Sequence, residues 1–142
     1  MEVSEIRRRV RAAIESARRE ARERRVRSDR AAVEYQDFLR DRAVPVFQTV
    51  AAALVAESYR FKVFTPADSV RLASENSGND FIELSLDSAA DPPTVIGRTS
   101  RGRGSRLVES ERPVKEGTAI AELSDEDVLA FLMAEIAGFV ER

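Results

Sequence analysis

Histidine and cysteine are both absent from this chain. Histidine is the usual general base near neutral pH and the commonest metal ligand, while the thiolate is the usual soft ligand and sulfur nucleophile. Losing both excludes a Ser-His triad, a cysteine-protease pair, a zinc centre and any disulfide. Tryptophan is missing as well, and seven Phe and two Tyr supply all the aromatic surface. Lysine occurs only as Lys62 and Lys115, and neither sits in a phosphate-cradling glycine loop. No GxGxxG or GxSxG string occurs. The chemistry left is carboxylate acid–base work, a Lys or Tyr base, or a magnesium site of Asp and Glu. No pair of acids has a spacing that singles it out, so the expectation is a non-enzyme with no catalytic residue, metal or cofactor.

Glycine and proline are scarce at the start. The first glycine is Gly78, and Pro45 is the only proline before Pro66. Across this stretch Val3, Ile6, Val10, Ile14, Ala17, Ala21, Ala32, Tyr35, Leu39, Ala43, Val46, Val50 and Ala53 follow a helical step, missing two turns at Arg24 and Ser28. At ~1.5 Å per residue such a helix outruns a body of ~25–30 Å about twofold. It must therefore fold back or meet another chain. A tight hairpin near Arg27–Asp29 is the alternative to one long helix, since Ser28 and Asp29 are good N-cap types. Pro45 should kink the helix or start a new one.

On a helical wheel residues 2–25 separate into three arcs. Val3, Ile6, Val10, Ala13, Ile14, Ala17 and Ala21 share a narrow apolar one that thins to alanine. Arg7, Arg8, Arg11, Arg18, Arg19, Arg22 and Arg25 fill the next, broken only by Glu15. Glu2, Glu5, Glu20 and Glu23 make the third, with Arg9 among them. A narrow stripe between charged flanks is the mark of a coiled coil or helix pair, though its step near 3.6 does not support a strict leucine zipper. The expected oligomer interface is Val3, Ile6, Val10, Ile14, Ala17 and Ala21. Four Glu→Arg pairs at i,i+4 (Glu5–Arg9, Glu15–Arg19, Glu20–Arg24, Glu23–Arg27) should add ~0.2–0.5 kcal/mol each to the exposed helix. From Asp29 to about Ser58 the apolar residues cover more than one face, which implies burial on two sides.

After Tyr59 the pattern alternates. Strand-like runs appear at Tyr59–Thr65, Ser69–Ser74, Phe81–Asp87, Thr94–Arg101 and Arg106–Arg112, the last two hinged on Gly102 and Gly104. Five short strands with no helix between them imply an antiparallel meander. Ser124, followed by Asp125, Glu126 and Asp127, opens a C-terminal helix that should cover the sheet through Leu129, Leu132 and Ile136 with Phe131 and Phe139. The fold expectation is thus α+β, with a helical arm over 1–58 and a small α+β domain over 59–142. Glu75, Asn76, Asn79 and Asp80 resemble a calcium loop in composition only, and read as a turn.

Charge is blocked. Residues 1–30 carry +5, 31–96 carry −5, 97–115 carry +4, and 116–142 carry −6. Alternating blocks suit self-association or docking of complementary patches. The leading functional expectation is a scaffold or adaptor subunit that self-associates through its arm, a dimer being favoured, with a protein partner also possible on these grounds. The alternative is a nucleic-acid accessory protein, using Arg7, Arg11, Arg18, Arg22 and Arg25 with Arg101 and Arg103 of the RGRG segment to grip phosphates. The charged first thirty residues are unlike a signal peptide, and the longest uncharged run, residues 43–56, is too short to span a bilayer. The stripe has no Trp, Phe or Leu to insert into lipid, so no membrane contact is expected and the location expected is cytoplasmic.

Overall fold

The computed structural model describes residues 1–140. One continuous helical rod runs from Val3 to Ala56: α1 (Val3–Phe38), a π-helical turn (Leu39–Ala43) and α2 (Val44–Ala56). The hairpin alternative at Arg27–Asp29 is ruled out, since α1 passes straight through both residues. Nor does Pro45 break the rod. The turn ahead of it widens, so that the Val44 N–H donates to the Leu39 carbonyl five residues back. A π turn moves the preceding carbonyls off the proline ring, and an interior proline that would cost ~3 kcal/mol is accommodated.

The strands are β1 (Phe61–Phe64), β2 (Val70–Ser74), β3 (Phe81–Asp87), β4 (Thr94–Arg103) and β5 (Arg106–Pro113), antiparallel in the order β1-β2-β3-β4-β5. This is the expected meander. A short 3₁₀ turn at Ile120–Glu122 leads to α3 (Asp125–Val140). Ser124 caps it reciprocally: its Oγ accepts the Asp127 N–H at 3.1 Å, and the Asp127 carboxylate accepts the Ser124 N–H at 2.9 Å.

Helix α2 packs over β1 and β2, and α3 over β4, so both cover the same sheet face. Phe38, Phe47, Val70, Leu72, Ile82, Leu84, Val128 and Leu132 are fully buried there. Gly97 on β4 has no side chain because the Phe131 ring occupies that space; a Cβ would collide with it. Within α3, Val128, Phe131, Leu132 and Phe139 are buried, while Leu129 and Ile136 flank the core rather than forming its centre. Burial of the rod is also more one-sided than its composition implies: Val44 and Val46 are half-buried, and Val55 faces solvent. Ala31, Tyr35 and Phe38 already belong to the body's core, so the part of the rod that projects is α1 up to about residue 27.

Candidate functional site

The projecting part of α1 is the most unusual surface of the molecule. Val3, Ile6, Val10 and Ile14 are each 44 to 66 % exposed, and Ala17 is exposed beside them. Only the small Ala21 is half-buried. Two sheet-covering helices already complete the core, and among the described residues none of the body covers this stripe. Arg7, Arg11, Arg18, Arg22 and Arg25 are exposed on its flank and carry no ion pair among the described residues. Of the four expected i,i+4 pairs, Glu5–Arg9 forms at 3.3 Å, and Glu5 also takes Arg8 at 3.0 Å. Arg27 reaches instead toward Asp91 in the β3–β4 loop, 4.0 Å away.

The stripe keeps its phase into the body. Continuing the step of three and four from Ala21 leads through Arg24 and the half-buried Ser28 to Ala31, Tyr35 and Phe38, which are buried. The apolar side of the arm and the body thus lie on the same side of one helix. Where they meet, a shoulder cleft of about 600 Å³ opens between Arg27, Ala31 and Glu34 of α1, Pro92 and Pro93, and the Lys115–Ile120 segment.

Arg101 and Arg103 do not form a flexible tip. Strand β4 extends through both, and the turn is only Gly104-Ser105, with Gly104 at φ +62° supplying the left-handed conformation. Gly102, expected as a hinge, is a strand residue whose N–H donates to Asp80 Oδ1 at 2.8 Å. Arg101 lies along α3, its guanidinium filling the space beside Gly138 where a Cβ would clash. Arg103 alone of the pair stays exposed. The Glu75–Asp80 segment is a turn closed by the Ser74 N–H on the Asp80 carbonyl.

The sequence did not point to the sheet face opposite α2 and α3. There the register aligns Phe64, Arg71, Glu83, Arg98 and Glu111 in one row across all five strands. Arg71 and Arg98 both contact Glu83 Oε2, at 3.0 and 3.1 Å, and Ser69 Oγ donates to Oε1 at 2.7 Å. Both guanidiniums also lie on the Phe81 ring, 4.0 and 5.2 Å from its centroid. Burial pushes the Glu83 carboxyl up, but the hydrogen bonds from Ser69 and Arg71 and the charges of both arginines outweigh it, holding it below the usual carboxylate range. A glutamate so held is a poor general base. The cleft beside the row, about 590 Å³, runs to Tyr35 on α1. Burial, then the charges of Asp68 and Glu83, push the Tyr35 phenol up, and its hydroxyl donates to the Asp68 carbonyl. This row therefore welds the face together. Among the described residues no cluster of three acids could hold a metal, and no helix is long and apolar enough to cross a membrane.

Compared with protein-family models, with curated proteins and with solved structures, the chain matches none.

Proposed function

We propose that this is a non-enzymatic interaction protein, a scaffold or adaptor subunit that self-associates through its N-terminal helix. The supporting observation is the exposed stripe of Val3, Ile6, Val10 and Ile14 on an arm its own body leaves uncovered. Fully burying one such side chain is worth ~1.5–3 kcal/mol, and helices in proteins owe most of their stability to packing one face. The occupant is a second copy of the same arm. The side that carries Glu2, Glu5, Glu20 and Glu23 also holds Arg9, Arg24 and Arg27, so one helix contains both halves of a complementary pair. The alanine-rich end limits the buried area, so association should be concentration-dependent rather than irreversible.

Sedimentation equilibrium of the full chain at tens of micromolar tests this. The expected result is a dimer that Ile6→Glu with Ile14→Glu converts to monomer, with the melting temperature of the body unchanged. A full-length monomer throughout that range defeats the proposal.

The exposed Arg7, Arg11, Arg18, Arg22 and Arg25 support a second reading, a nucleic-acid accessory protein, to which the RGRG segment contributes only Arg103. A mobility shift with random DNA and RNA, whose affinity falls with log salt at a slope of ~0.9 per neutralised phosphate, would favour it.

A further inference from the structure

Resting on the self-association just proposed, we infer that the arms pair antiparallel, offset so that the large residues of one stripe meet the alanines of the other. The phase of the stripe decides the direction. In a parallel, in-register pair the partner helix would lie along Val3–Ala21 and run on past Ala31, Tyr35 and Phe38. That space is filled by the body, against which Tyr35 and Phe38 are fully buried, and α1 has no break that would let the partner turn away. An antiparallel partner avoids this collision, because its body lies at the far end of the pair.

Residue size then sets the register. The stripe is large at its start and small at its end. Pairing residues whose numbers sum to about 31 puts Val10 opposite the partner's Ala21 and Ile14 opposite the partner's Ala17. A large side chain thus meets a small one at each central level, which lets the two axes approach closely. The same register sets Val3 against Ser28, which is already half-buried. Ala31, where α1 enters the core, follows directly, so the overlap stops where the partner's body begins. From Val3 to Ser28 the overlap is about 26 residues, ~39 Å of helix.

Charge agrees on one flank and opposes on the other. A two-fold axis perpendicular to the helices brings like flanks together. On the acidic side Glu2 and Glu5 meet Arg24 and Arg27, while Arg9 meets Glu20 and Glu23. On the other side Arg11 faces Arg18, and Arg7 faces Arg22 and Arg25. This repulsion is between exposed groups and is screened over ~8 Å at physiological ionic strength. A parallel pair would instead set the Arg flank against the Glu flank on both sides, with Glu2 near Arg7 and Glu20 near Arg25. Both flanks of a parallel pair attract, whereas the antiparallel pair carries one attracting and one repelling flank.

The absence of native cysteine makes the test direct. Ser4→Cys carries a spin label in the full-length chain, and the label-to-label distance is read in samples shown by sedimentation to be dimeric. The antiparallel register expects about 35 Å along the axis between the two Ser4 positions, from 23 residues of rise. Mixed Ser4→Cys and Ser28→Cys chains should read under about 20 Å. A dimer with Ser4 labels within about 20 Å of each other overturns the orientation while leaving self-association standing. A labelled chain that sediments as monomer, like unlabelled protein, overturns the reading beneath it.

Discussion

Glu83 holds the open sheet face together, and its carboxylate is shared by Arg71, Arg98 and Ser69. Glu83→Gln leaves two guanidiniums stacked on Phe81 without a counter-charge, and should cost ~1–3 kcal/mol in chemical denaturation. The pH dependence follows from the lowered carboxyl. A group depressed in the folded state stabilises fully above its unfolded pKa of ~4.3, and that stability is lost as pH falls through the lower folded value. Acid titration of the wild type should show this loss below about pH 4, and the Gln variant should lack that share of it. Two glycines make a second residue-scale contrast. At Gly97 an added methyl meets an aromatic ring locked in the core, so Gly97→Ala should lower stability by ~1–3 kcal/mol or more. At Gly138 it meets the mobile end of Arg101, which can swing out. Gly138→Ala, gaining up to ~1 kcal/mol of helix propensity, should be near neutral or stabilising in the same melts.

Among the elements, α3 closes the core through a face centred on Leu132. Leu132→Ala should cost ~2–5 kcal/mol, whereas Met133→Ala, half exposed on the same helix, should stay within ~0.5 kcal/mol. Ser124→Ala, which opens the capping pair at the start of α3, should cost ~0.5–2 kcal/mol. Thermal melts of the three variants check the ranking. If Met133→Ala proved as damaging as Leu132→Ala, a second layer would have to cover the outer face of α3. Arg101, expected from its RGRG surroundings to be solvated, lies against α3, so Arg101→Ala should cost more than Arg103→Ala.

For the whole molecule, the distinction that matters is between the projecting arm and the body. The body's core takes its helical contribution from Ala31 onward. Removing residues 1–26 should therefore leave the melting temperature of the body within a few degrees while shifting sedimentation toward monomer. A large loss of stability at protein concentrations where the full chain is already monomeric would show that the arm supports the body directly.

Much of this architecture was legible in the residues alone. The stripe from Val3 onward, the alternation in Phe81–Asp87 and the capping signal at Ser124 each follow from the spacing of neighbours along one helix or strand, which short-range geometry dictates. Sequence spacing determined that the arm is helical and apolar on one side. It did not determine that the rod passes unbroken through Ser28 and Asp29, because good N-cap types promote a new helix only where the chain gains by turning, and here Ala31, Tyr35 and Phe38 anchor the straight path in the core. The Phe64–Arg71–Glu83–Arg98–Glu111 row lay beyond reach for a similar reason. Its members are neighbours only through strand register, and shifting one strand by a single residue would send its side chain to the other face. The position of Arg101 against Gly138 joins β4 to α3 across more than thirty residues of chain. Local pattern thus decided what each segment is, while packing between distant segments decided which side of the arm shares its direction with the body.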